Sequence, residues 1–176
     1  RQWFQSVEAL LVQRDVFEWI ADMVTRSLAS RSHPSPSLSQ SVHKLRNAAM
    51  ACLAIAQSAG EASDSQEREV ELAFCALADG DILCEAMNGV DSSLIAIHKV
   101  QVVEEGPSGR RAFMRRDNIG RFLSSCQRLG IPSSHLFDPS SLIQLAAQSG
   151  ISATTQHVNR KQVLATLLSF MDQAKN

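Results

Sequence analysis

Three observations predict an all-α protein. Apolar residues recur at helical spacing through most of the 176 residues, most clearly as Ile119, Phe122, Leu123, Cys126 and Leu129. That stripe ends at Gly130, with Pro132 two residues beyond, which is a helix stop followed by a residue that cannot continue the helix. The alternation expected of a half-buried strand is confined to Val100 and Val102, too short a run to form one. The expectation is a bundle of four major helices plus minor ones, without a sheet.

At the front, Trp3, Val7, Leu10 and Leu11 form a stripe ahead of Asp15. Residues 1–13 are therefore a helical extension, either a separate short helix or the start of an unusually long first one. Asp15 and Glu18 stand at capping-box spacing and introduce Val16, Phe17, Trp19 and Ile20. Ser27 to Ser41 holds seven serines with Pro34 and Pro36, a composition with little surface to bury, and is expected to be a flexible loop. Val42, Leu45, Ala49, Cys52, Leu53 and Ala56 then predict a helix from about Ser41 to Gln57. It either covers apolar surface on the core or serves as a partner-binding or self-association helix. Gly60 to Arg68 is polar again, so residues 30–68 read as an insert, with about Leu28 to Gln40 and Gly60 to Gln66 expected to be the first segments cut by a protease.

Asp79 is placed to cap the next helix, and Gly80 permits close approach of a neighbour, while Ile82, Leu83 and Met87 face inward. After the Ile119 stripe, Phe137 follows a short polar turn and can fold back to pack against Phe122, and Leu142 begins the next apolar patch. Val163, Leu164, Leu167, Phe170 and Met171 predict a last helix from about Asn159 to Ala174. Arg160 and Lys161 would then sit unfavourably at the positive end of its dipole.

Two blocks, in order, carry a family resemblance. Leu77-Ala78-Asp79-Gly80-Asp81-Ile82-Leu83-Cys84-Glu85-Ala86-Met87-Asn88 resembles the Leu-x-Asp-Gly-x-x-Leu-Cys-x-x-x-Asn helix of calponin-homology domains. Phe113, Asp117-Asn118-Ile119, Phe122-Leu123, Leu129-Gly130 and Leu136-Phe137 resemble that family's later signature, and Val16 to Ile20 its aromatic first helix. The resemblance covers residues 14–29 and 69–172. It departs at Ser141, where the family usually has Asp, and at Asp117, where Glu is commoner. It implies a single calponin-homology-like domain over residues 1–176. The structural core so implied includes Trp19, Leu77, Asp79, Gly80, Leu83, Phe113, Asn118, Ile119, Phe122, Leu123, Leu129, Gly130, Phe137 and Leu142. It further implies a non-catalytic cytoskeletal binding or adaptor module, located in the cytoplasm with the cytoskeleton. The implied partner is an actin filament, a microtubule, or another cytoskeletal or signalling protein. The alternative is a dimerisation or signalling scaffold using Trp3, Leu10 and the insert helix without filament contact. A monomer is expected, with no cofactor.

The net charge is only −1, so the chain is no general polyanion binder. Arg110, Arg111, Arg115, Arg116, Arg121 and Arg128, however, fall within nineteen residues in which Asp117 is the sole acid. The first two are expected on a loop after Gly109 and the rest on the faces left by the apolar stripe. This strip is either an ordinary solvated face or a docking surface for an acidic partner, since arginine's forked donors suit carboxylates. Nucleic acid is disfavoured, because no aromatics interleave with the arginines and the chain has no tyrosine. No apolar run approaches a membrane span, and the opening Arg1-Gln2-Trp3-Phe4 carries no secretory signal and reads as a fragment of a longer protein. Cys52, Cys75, Cys84 and Cys126 fall in helical patterns without Cys-x-x-Cys spacing, as reduced core thiols of a cytosolic protein do. No catalytic motif is present, the five histidines make no metal-ligand spacing, and Cys126 with His135 is better explained as a core thiol and a surface histidine than as nucleophile and base.

Overall fold

The computed structural model of the protein describes residues 6–58, 61–103, 107–147 and 152–176. Among them are seven α-helices, two short 3-10 helices and no strand. The first helix, α1 (Val7–Ala29), is the long form of the two expected at the N-terminus. Ser6 caps it, its Oγ accepting from the Ala9 N–H at 3.1 Å. Asp15 marks no boundary. Leu10, Gln13, Phe17, Ile20 and Val24 continue one buried stripe at three- and four-residue steps straight past it. Asp15 falls on the outer face, bonded by the Arg14 side chain. Trp3 lies outside the described residues.

The serine-rich stretch is mostly helical, which corrects the expectation of a loop from Ser27 to Ser41. Ser27 is buried near the end of α1, and α2 (Pro36–Gln57) starts with Pro36 in its first turn, where a missing N–H costs nothing. Only residues 30–35 separate the two helices. Leu38, Leu45, Ala48, Ala49, Cys52 and Ile55 of α2 are buried. The helix thus serves the first of its two expected roles, covering α1 and α3. α3 (Asp64–Ala78) begins inside the stretch expected to be polar and open, because Ser63 and Gln66 form a capping box, with bonds of 3.3 and 2.9 Å.

α4 (Asp81–Val90) follows after a two-residue turn. Asp79 does not cap it. Asp79 ends α3 in right-handed conformation, and Gly80 makes the turn at φ +76°. A Cβ at Gly80 would stand 2.7 Å from the Asn118 Cβ and 2.9 Å from the Ile119 nitrogen, so this glycine serves both the left-handed turn and the close helix approach. A Cβ at Gly89 would reach the Met23 carbonyl oxygen at 2.1 Å, so α1 and α4 cross in direct backbone contact.

A 3-10 turn (Ile97–Lys99) leads toward α5 (Ser108–Leu129), and a second (Ser133–His135) separates it from α6 (Pro139–Ala147). Arg110 and Arg111 lie within α5 and not on a loop. Gly130 ends α5 at φ +105°, as the sequence indicates. The last helix, α7 (Ala153–Lys175), starts six residues earlier than expected, capped by Ser152, whose Oγ accepts from the Thr155 N–H at 3.2 Å. Arg160 and Lys161 are consequently far from the positive end of the dipole. Arg160 is buried on the same stripe as Val163, Leu167 and Phe170, its guanidinium 4.9 Å from the centre of the Phe74 ring.

One buried cluster joins residues of α1 through α7. Its aromatic centre is a chain of edge-on contacts, Trp19 to Phe170 at 4.9 Å and Phe170 to Phe122 at 5.2 Å, with Phe17 to Phe74 at 5.6 Å. The ring meeting Phe122 edge-on is therefore Phe170 on α7, while Phe137 is buried elsewhere in the same cluster. Leu77, Leu83, Ile119 and Leu142 are fully buried, and Trp19, Leu123 and Leu129 pack against the cluster half-buried. Phe113 is the exception to the expected core, being 65% exposed. It stands six residues before Ile119 and nine before Phe122, spacings that place it on the other side of the helix. A smaller cluster of Leu10, Ile55 and Ala56 closes the N-terminal end, so Leu10 is internal.

Truncating Phe122 to alanine removes a fully buried ring at one end of this chain of aromatics. The variant should lose roughly 3–5 kcal/mol in urea unfolding, against a typical total of about 5–15 kcal/mol. An unchanged midpoint would place the ring at the surface.

Candidate partner-binding face

α5 has two faces with different work. Its inner face is anchored by Asn118, fully buried, whose amide nitrogen donates to the Asp79 carbonyl at 3.1 Å and the Gln101 carbonyl at 2.7 Å. Its oxygen accepts from the Gln101 N–H at 3.1 Å, and the Cys84 thiol donates to the Asn118 carbonyl at 3.2 Å. The α3–α4 turn, the 97–103 segment and α5 are thereby fixed together. Beside this anchor Asp81 is buried at the start of α4, accepting from the Ile82 N–H at 2.8 Å and from the Val103 backbone. Burial first, and the neighbouring Asp79 carboxylate second, push its carboxyl up to about 6.

The structure separates the six arginines into groups. Arg115 is half-buried and bonds Asp79 at 2.8 Å, with Arg111 at 4.0 Å from the same oxygen. Arg121 pairs with Asp117 one turn back at 2.9 Å. Arg128 donates to the Leu94 carbonyl at 2.8 Å and the Ser93 carbonyl at 3.3 Å. Ser125 also donates to the Leu94 carbonyl, at 2.9 Å. Arg110 and Arg116 are exposed and form no ion pair with any described residue. A groove of about 560 Å³ runs along this outer face, between α5 and residues 94–96. Arg116, Asp117, Gly120, Arg121, Ser124 and Arg128 line its α5 side.

The sequence pointed to the arginines but not to this division. Arg121 with Asp117 was legible from their four-residue spacing; the pairing of Asp79 with Arg115, 36 residues apart in sequence, was not. The 94–96 wall carries no motif. A second groove, of about 470 Å³, opens between the N-terminal part of α1 and α7, over Leu10, Val12, Leu164 and Leu168, with Lys161 at its side. It too was invisible, because it depends on how two distant helices diverge.

Burial pushes Cys126 up to about 12 and Cys52 up to about 11, and raises Cys84 and the half-buried Cys75 as well. Among the described residues no three His, Cys, Asp or Glu side chains gather as a metal site, and no helix is long and apolar enough to cross a membrane.

The described residues thus form an all-helical domain with an Asp-Gly turn locked against an asparagine-bearing helix and a basic groove on that helix's outer side. The Calponin homology (CH) domain pattern matches residues 60–176, and the chain belongs to the calponin homology family, whose domains are generally non-catalytic binding modules. The match begins at residue 60, so α1 and α2 lie outside it. No curated protein and no solved structure matches the chain.

Asp81 generates a pH prediction. Its folded value of about 6 lies above the ordinary 3.8, so the folded state binds this proton more tightly than the unfolded chain does. The resulting stabilisation is complete below about pH 4 and is lost as pH rises through about 6. Asp81→Asn keeps an oxygen for the Ile82 N–H and removes the charge. It should raise stability at pH 7 by roughly 1–3 kcal/mol and by progressively less toward pH 4, measured as the difference from the native chain in urea. An equal difference at both pH values would show that the Asp81 carboxyl binds its proton no more tightly in the folded chain than in the unfolded one.

Proposed function

We propose that this domain is a non-catalytic cytoskeletal binding or adaptor module that docks on an acidic filament surface, of actin or of microtubules, through the outer face of α5. Family membership supports a cytoskeletal or signalling binding role in general. The observation that carries the finer reading is the exposure of Arg116 in the groove lining and of Arg110 toward the start of α5, neither ion-paired with a described residue, since cations not held in such pairs are available to carboxylates of a partner. Such a module would act as a monomer in the cytoplasm, associated with the cytoskeleton. The whole of residues 1–176 would form one domain, because α1 and α2 share the buried cluster of the matched region. The scaffold alternative loses one of its supports, since Leu10 is buried within the chain.

Arg111 and Arg115 are poor test positions, because reversing them would set new carboxylates against Asp79. Arg110→Glu with Arg116→Glu reverses two exposed charges instead. The double variant should unfold within about 0.5 kcal/mol of the native chain yet lose co-sedimentation with the filament that the native chain binds. Native binding should itself weaken between low and physiological salt, where exposed charges are screened over about 8–10 Å. A folded double variant that pellets as well as the native chain would overturn the arginine face. A native chain that pellets with neither filament at low salt would overturn filament binding.

A further inference from the structure

Gly120 stands in the interior of α5, nine residues before its last, Leu129, with ordinary negative φ, since only Gly80 and Gly130 have positive values among the described glycines. A Cβ built there meets nothing within 4 Å. Neither backbone conformation nor packing inside the chain requires a glycine, and glycine is the least favourable residue after proline for a helix interior. Gly80 and Gly89 show the contrast, each blocked by a neighbouring helix. What Gly120 does provide is a bare floor in the groove, between Arg116 and Arg121 on α5 and the wall of Leu94, Ile95 and Ala96.

The wall is held in place before any partner arrives. Ser125 and Arg128 both donate to the Leu94 carbonyl, and Arg128 also to that of Ser93. Three arginines against one aspartate make the lining basic, with Asp117 already paired to Arg121. Phe113, 65% exposed, stands seven residues before Gly120 and hence on the same side of the helix. Arginines around a side-chain-free floor, with an exposed aromatic two turns back along the same side of α5, match the composition of protein interfaces, whose cores are enriched in both.

We propose that Gly120 is the floor of the docking site, kept without a side chain so that an acidic segment of the filament subunit can lie against the α5 backbone. Arg116 meets its carboxylates and Phe113 packs beside it. This rests on the filament-docking reading above and specifies which residue sets the closeness of approach.

The test uses Gly120→Ala and Gly120→Leu, with co-sedimentation against actin filaments and microtubules at low salt and thermal unfolding of each variant. Alanine should raise the unfolding midpoint by roughly 2–4 °C, because it favours the helix and meets no neighbour. It should nonetheless weaken association about tenfold, the scale of forcing one extra carbon into a close contact, and leucine should weaken it further. Improved folding with impaired binding is an outcome that general damage to the fold cannot produce. Variants that pellet like the native chain, while Arg116→Glu does not, would overturn the role of Gly120 and leave the arginine face standing. A midpoint lowered by alanine would place the reason for the glycine inside the fold and overturn the proposal equally. A native chain that pellets with neither filament would instead remove the docking reading itself.

Discussion

The Asn118 amide is the constraint on which the working part of this molecule depends. A fully buried carboxamide costs several kcal/mol if left unpaired and is tolerated because its donors and its acceptor are engaged, by the Asp79 carbonyl and by both backbone groups of Gln101. Each bond contributes on the order of 1 kcal/mol net, but their geometric effect is larger, since no other rotation of α5 satisfies all of them. That rotation turns Ile119, Phe122 and Cys126 inward and sends Arg110, Arg116 and Gly120 outward. Gly80 completes the arrangement, because any side chain there would push the two helices apart at Asn118.

A second polar network does comparable work for the part of the chain that the family pattern does not cover. Glu85, buried on α4, pairs with Arg31 at 2.6 Å and accepts from the Ser27 hydroxyl at 2.7 Å, which in turn accepts from Asn88 at 2.7 Å. These bonds tie the end of α1 to α4 beside the Met23–Gly89 crossing. A buried ion pair of this kind is weak evidence of net stability, because desolvation offsets much of the attraction. Its consequence is positional: Arg31 is partly exposed, but losing it strands the Glu85 charge inside, so misaligned packings of α1 are penalised.

How much was legible in the sequence follows from the range of the interactions. Helical class, the α5 stripe, its glycine stop and the Asp-Gly and Asn motifs are local patterns of three to seven residues, and they appear in the structure where they were read. The serine-rich segment was misread because composition says nothing of phase. Ser27 and Ser41 lie on buried helix faces, and Ser27 has a distant acceptor in Glu85. Asp15 misled for the opposite reason, a capping pattern without a break in the apolar stripe behind it. Phe113 was assigned inward by motif, although its spacing from Ile119 and Phe122 already argued outward. The groove beside α5 could not be read at all, since its second wall is a loop brought near by long-range hydrogen bonds.

Helix α5 breaks several local rules. Its first turn carries no acid, while Arg110 and Arg111 stand near the positive end of the dipole. Gly120 interrupts the interior of the helix, and Phe113 leaves most of an aromatic ring in water. Each feature is unfavourable for an isolated domain. The inner side of the same helix breaks none of them, with apolar residues in phase and its one buried amide satisfied. Sequences that specify a single fold are consistent from level to level except where binding imposes a competing demand. Gly120 and Phe113 share the outer side of the helix with Arg116 of the basic groove, and this coincidence supports a partner, rather than the fold, as the reason for them.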